Sequence, residues 1–247
     1  MFNIVVCGSA DEVAAEAFAQ IRPIIRKPSF ILGLATGSSP LGLYGKMIDD
    51  HNLTGTTYRS CITYNLDEYV GISKDHPQSY HTFMQENLFR HIDINPENIH
   101  IPEGDTGDLE KACADYETLL AEHIADVQIL GIGANGHIGF NEPGTPFDSL
   151  THVVNLTEQT RKDNSRFFDG DISKVPGKAI TMGLGSILKA RKIVIIAMGK
   201  NKAKAVNALI HEKPDAECPA SVLQNHHNVT LICDRDAASM LMLQDHF

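Results

Sequence analysis

The stretch VQILGIGANGHIGFNEPG, residues 127–144, changes character in its middle. Its first part is apolar apart from Gln128; glycine then recurs at 131, 133 and 136 and the chain is set to turn. A short apolar run without polar alternation is the mark of a strand buried on both faces, as in parallel sheets. Six further runs belong with it: FNIVV (2–6), FILGLA (30–35), CITYNL (61–66), AITMG (179–183), KIVIIAMG (192–199) and VTLIC (229–233). Amphipathic helical patterns lie between them. Val13, Ala14, Ala17, Phe18 and Ile21 fall at helical spacing behind a Ser9–Glu12 capping box. A second helix starts at Ser39–Pro40, where proline suits the first turn, and others fit 79–91, 109–124, 157–168, 201–211 and 235–243.

Alternating strands and helices predict an α/β fold: a mostly parallel, Rossmann-like sheet with helices on both faces. A chain of 247 residues can bury one full core, so 1–247 reads as a single domain. Residues 144–178 carry no long apolar run and read either as a lid insertion over the sheet or as an ordinary solvent-facing excursion.

Composition narrows the function. A formal net charge of -10 disfavours nucleic acid as a partner, because phosphate backbones attract basic surfaces. No apolar run approaches membrane-spanning length, and the N-terminus lacks the basic segment and cleavage pattern of a signal peptide. Five cysteines, widely spaced and without a C-x-x-C pair, argue for reduced thiols in a cytoplasmic protein rather than a disulfide framework or zinc site. The expected partner is a small molecule.

In parallel sheets ligands bind beyond the carboxyl ends of the strands, so the residues there are the candidates. The second run leads into Thr36, Gly37, Ser38 and Ser39 ahead of a helix, where small residues, hydroxyls and a helix N-terminus suit a phosphate; an ordinary capped turn is the alternative. Lys200, Lys202 and Lys204 follow KIVIIAMG at another helix start, where they oppose the helix dipole unless an anion binds. The NLDEYVG segment (65–71) places Asp67 and Glu68 at the sheet edge, and extended geometry lets only one of them face the crevice. In the opening stretch His137 titrates near neutral pH, and Glu142 is near enough to accept from one imidazole nitrogen and fix its tautomer. A buried structural histidine competes with that reading, as does a metal site of Asp67, Glu68, His137 and Glu142, although no ligand spacing supports the metal.

NLDEYVG, SYHTFM (79–84), GIGANGHIGFNEPG, TRKDNSRFF (160–168) and MGKNKAKA (198–205) occur in the order found in glucosamine-6-phosphate deaminases, and the chain resembles that family from NIVV (3–6) to CDRDAASML (233–241). GHIGFNEP and NSRFFD are the most specific of these segments. The resemblance implies conversion of glucosamine 6-phosphate and water to fructose 6-phosphate and ammonia, without metal or organic cofactor. It implies that Asp67 moves a proton between C2 and C1, that His137 assists ring opening with Glu142 as its relay partner, and that Thr36, Gly37, Ser38, Ser39, Arg166 and Lys202 grip the phosphate.

Two features depart from the family pattern. Many members have aspartate where this chain has Asn135, and an amide can orient His137 but carries no charge. Allosteric hexameric members have basic residues after FNEP and a longer C-terminal tail. Here DSLTHVVNL (148–156) holds no Arg or Lys and the chain stops at Phe247, which predicts a monomer or small oligomer insensitive to N-acetylglucosamine 6-phosphate. A 6-phosphogluconolactonase-like hydrolase is the alternative enzyme, but its motif lacks the FNEP glutamate and the NLDEYVG run. A non-catalytic sugar-phosphate sensor domain is the alternative outside enzymes, and it needs no acid–base set.

Overall fold

All seven apolar runs form strands, six of them in one parallel sheet. The structure is a computed structural model that describes residues 2–241. In chain order the elements are β1 (Asn3–Cys7), α1 (Ala10–Ile25), β2 (Phe30–Leu34), α2 (Leu41–Thr54), β3 (Cys61–Asn65), β4 (Asp67–Tyr69), α3 (Tyr80–Asn87), β5 (Ile99–His100) and α4 (Leu109–Glu122). They continue with β6 (Val127–Gly131), β7 (His152–Asn155), α5 (Glu158–Asn164), β8 (Lys178–Thr181), α6 (Leu184–Ile187), β9 (Ile193–Ala197), α7 (Ala203–His211) and β10 (Val229–Asp234). The main sheet runs β1-β10-β9-β6-β2-β3-β5, with every neighbouring pair parallel. Hydrophobic cores lie on both faces, so β9 is buried at every position.

The strand order places the site. From β2 the chain moves outward to β3 and β5, then returns to the other side of β2 as β6 and continues to β9 and β10. The switch point is therefore the crevice beyond the carboxyl ends of β2 and β6. The 36–39 loop and the glycine-rich turn both leave the sheet there.

The sequence reading missed a second sheet. AITMG is β8, which lies antiparallel between β4 and β7 in a three-stranded sheet rather than in the main one. At the end of β3 the Leu66 amide donates to the Leu34 carbonyl (3.1 Å); one residue later the chain has changed sheets and Asp67 pairs with Thr181. These strands are three or four residues long, too short for periodicity to register. Within 144–178 lie β7 and α5, so the segment carries structure of its own.

Helix boundaries follow the capping chemistry. The Ser9 hydroxyl accepts from Glu12 N (3.2 Å), while the Glu12 carboxylate reaches back to Gly8 N (2.7 Å). Pro40 sits at the N-cap of α2 rather than inside its first turn. The helix expected over 235–243 is a series of turns as far as Leu241, because the Asp234 carboxylate accepts from Ala237 N (2.7 Å) and Gly199 N (2.9 Å) and bends the chain there; 242 and 243 lie outside the described residues. No helix of the described residues is long and apolar enough to cross a membrane.

Candidate active site

Asp67 and Glu68 divide as the extended chain dictates. Glu68 is buried and turns away from the crevice, accepting from the backbone amides of Tyr69 (2.8 Å), Tyr80 (2.9 Å) and His81 (3.0 Å). It anchors the start of α3, where an acceptor also suits the helix dipole. Glu68→Gln loses one of two acceptor oxygens and brings an amide donor against backbone donors. We expect a loss of about 2 kcal/mol, or a Tm fall of roughly 4–8 °C, in thermal unfolding.

Asp67 lines a cavity of about 810 Å³. The residue is only 6% exposed, and burial, followed by the neighbouring Glu68 charge, pushes its pKa up from 3.8 to about 8. It is therefore a desolvated and unusually strong carboxylate base.

His137 faces the same cavity, with Asn135 and Glu142 behind it. Its Nδ1 lies 2.7 Å from Asn135 Oδ1, the Asn135 amide donates to Glu142 Oε2 (2.8 Å), and Glu142 itself is 3.7 Å from Nδ1. The direct imidazole–carboxylate hydrogen bond expected from the sequence is thus replaced by one relayed through an amide. The network also assigns the tautomer. A carboxylate only accepts, so Asn135 points its NH₂ at Glu142 and its oxygen at the ring, and Nδ1 carries the proton. Nε2 is left with its lone pair. Burial lowers the His137 pKa, against a rise from Glu142, which keeps the ring neutral. Gly133 makes this placement possible: a Cβ there would fall 2.2 Å from the imidazole Cε1.

The cations gather on another wall. Thr36, Gly37, Ser38, Ser39, Arg166 and Lys202 all line the cavity, and Gly37 takes the left-handed conformation (φ 85°) that its turn requires. Arg166 follows α5 and Lys202 precedes α7. Burial, then the nearby Arg166 charge, lowers the Lys202 pKa. Neither cation forms an ion pair among the described residues. Lys200 and Lys204 are exposed and do not line the cavity. Two neighbouring cations, Lys202 half-buried and Arg166 exposed, beside a hydroxyl-bearing loop have the chemistry to hold a dianion. Glu68 points elsewhere, and no group of three or more His, Cys, Asp or Glu side chains among the described residues is placed to hold a metal.

A family model described as glucosamine-6-phosphate isomerases/6-phosphogluconolactonase matches residues 8–232. The chain belongs to that family. It is 49% identical over 245 residues to a glucosamine-6-phosphate deaminase of Thermoanaerobacter sp. (strain X514), covering 98% of this chain and 96% of that one. It is 50% identical over 218 residues to the deaminase of Halalkalibacterium halodurans, covering 88% of each. The solved structure of a monomeric glucosamine-6-phosphate deaminase matches with a TM-score of 0.94 at 44% identity, over 97% of this chain and 100% of that one. A 6-phosphogluconolactonase from Trypanosoma brucei, at 20% identity and a TM-score of 0.80 over 98% of this chain and 99% of its own, shares the fold. The isomerase/lactonase family thus spans both enzymes, and the high-identity relatives named here lie on the deaminase side.

The sequence reading assigned no role to Thr160, Tyr69, Tyr80 or Asn164. Thr160 donates to Glu142 through a short hydrogen bond, and Asn164 donates to the Tyr69 hydroxyl (3.0 Å). Tyr80 stacks on Phe140 (6.1 Å, 9°) and packs against Tyr69 (4.9 Å, 44°). Each of these contacts joins segments far apart in the chain, so no local pattern announces them.

Proposed function

We propose that this chain converts glucosamine 6-phosphate and water to fructose 6-phosphate and ammonia. The observation that carries the reading is the sharing of one cavity by the buried, basic Asp67 carboxylate and the unpaired Arg166 and Lys202. The phosphate binds to the 36–39 loop and the two cations, which fixes a short sugar by its far end. His137 Nε2 takes the proton of the anomeric hydroxyl and returns it to the ring oxygen, opening the pyranose; Asn135 and Glu142 hold the ring in the required tautomer. Asp67 takes the proton from C2 of the open-chain aldehyde, and the resulting enolamine receives a proton from Asp67 at C1. Water then adds to the ketimine at C2 and ammonia leaves, yielding the ketose. Burial of Asp67 serves this transfer, because a carboxyl of pKa near 8 both abstracts a proton well and holds it between the two carbons.

The test is release of ammonia and fructose 6-phosphate from glucosamine 6-phosphate, with 6-phosphogluconolactone hydrolysis measured in parallel. Absence of ammonia, or lactone hydrolysis as the dominant activity, overturns the reading. Residues 144–178 act as the lid of this site, a reading supported by the cavity-lining Thr160, Asn164 and Arg166 within them. The enzyme works as a monomer or small oligomer with hyperbolic kinetics that N-acetylglucosamine 6-phosphate does not change. Support comes from the absence of Arg and Lys in 148–156 and from the likeness to a monomeric deaminase. Sigmoidal kinetics relieved by that compound would refute it.

Asn135 orients His137 and does not act as a base. Asn135→Asp places a second carboxylate against Nδ1 and removes the donor to Glu142. We expect the imidazole titration, followed by NMR, to rise by about one unit or more. An unchanged midpoint would remove Asn135 from the relay.

A further inference from the structure

Helix α5 touches both halves of the site through residues one turn apart. At its start the N-cap Thr157 hydroxyl donates to Thr160 Oγ1 (2.9 Å), and Thr160 in turn donates to Glu142 Oε1. The other carboxylate oxygen accepts from Asn135, whose own oxygen accepts from His137. Thr160 is buried, so the bond is shielded from water. At the end of the helix Asn164 donates to the Tyr69 hydroxyl (3.0 Å), and the Tyr69 ring packs against Tyr80 (4.9 Å between centroids), which lines the cavity together with Thr36. Two residues further on is Arg166. Residues 160 and 164 share a helix face, so any adjustment of α5 moves both rows together.

Resting on the function proposed above, we infer that α5 couples occupancy of the phosphate site to the ring-opening relay, with Thr160 a positioning residue for His137 and Asn164 a positioning residue that holds the end of α5 beside Arg166. A phosphate drawing in Arg166 settles α5. A settled α5 holds Glu142 by its outer oxygen, so the inner one stays on Asn135 and the imidazole stays aligned. The charges that face His137 are Glu142 behind it, Lys202 from the turn before α7 and Asp163 from α5 itself. The helix therefore moves one of these three charges along with the Thr160 hydrogen bond. A sugar lacking the phosphate forgoes this alignment as well as binding energy, so the coupling selects substrates by their remote end.

The test is NMR titration of the His137 imidazole, assigned by loss of its signal in His137→Gln, with and without saturating inorganic phosphate. In the unmodified protein phosphate shifts the His137 midpoint. Thr160→Val, which keeps the shape and removes the donor, reduces that shift by half or more; Thr160→Ser restores it; Asn164→Leu, which removes the donor to Tyr69, reduces it by a similar factor. In turnover, Thr160→Val lowers kcat about tenfold while KM stays within about twofold, the split expected when alignment rather than binding is lost. A Thr160→Val shift equal to that of the unmodified protein, or the absence of any phosphate shift in the unmodified protein, overturns the coupling. A protein that shows the coupling but releases no ammonia overturns the deaminase reading alone, and one that releases ammonia without the coupling overturns only the role of α5.

Discussion

Asp67→Asn is expected to lower turnover of glucosamine 6-phosphate by about a hundred- to ten-thousand-fold, the usual loss on removing a positioned general base. KM should change little, because the phosphate grip lies elsewhere in the cavity. The same substitution should stabilise the protein, and the pH dependence identifies the cause. Burial raises the folded-state pKa of Asp67 to about 8. Below the unfolded value of about 4 both states hold the proton and Asp67 costs nothing. Between about 4 and 8 the folded chain retains a proton that the unfolded chain releases, so this residue's contribution to stability falls as pH rises, and the full cost is present above 8. The Tm values of variant and unmodified protein should coincide near pH 4 and separate by several degrees at pH 8, with the variant higher. Activity runs in the opposite direction. kcat/KM should rise with pH through a midpoint near 8 to a plateau above it, and the limb for kcat should lie lower, because the substrate ammonium beside Asp67 favours the ionised carboxylate. An undiminished rate in Asp67→Asn would remove this residue from the proton transfer.

Much of this was legible in the sequence, for physical reasons that differ from residue to residue. The parallel sheet could be read because strands buried on both faces must be apolar throughout, as in IVIIA of β9. Asp67 and the 36–39 loop could be placed because strand ends are where such sheets bind ligands. The small sheet could not be read: β4 and β7 are too short for a pattern, and β4 is the strand that carries Asp67. The relay was legible in its members and wrong in its wiring. Glu142 and His137 are close in sequence, but only the folded turn shows Asn135 standing between them. Of the three lysines after β9, the local pattern alone could not choose Lys202, which the family resemblance singled out, since the choice depends on a short 3₁₀ turn from Lys200 to Lys202 that brings one of them to the cavity.

The second large effect concerns that inward pair. Arg166→Met combined with Lys202→Met removes both cations while keeping the bulk of the side chains. Charge-assisted hydrogen bonds contribute about 1.5–3 kcal/mol each, so together the two substitutions should lower kcat/KM by roughly a hundred- to twenty-thousand-fold. Part of the loss should appear in kcat, because phosphate binding also aligns the reacting carbons. Lys204→Met, on the exposed side of α7, should leave both constants within about twofold. Stability supplies an independent readout. Burial and the Arg166 charge both disfavour the charged form of Lys202, so without ligand the pair opposes folding at neutral pH; that cost declines only as pH rises through the lowered Lys202 pKa towards 10.5. The ligand-free double variant should therefore melt above the unmodified protein. Inorganic phosphate should reverse the order. At a hundred times its Kd it adds about 2.7 kcal/mol to the unmodified protein and nothing to a variant that no longer binds it. Equal phosphate stabilisation of the two proteins would place the anion away from Arg166 and Lys202. The crossing of the two Tm curves separates a site built for an anion from a basic patch, because solvated surface cations do not oppose folding in the ligand-free protein.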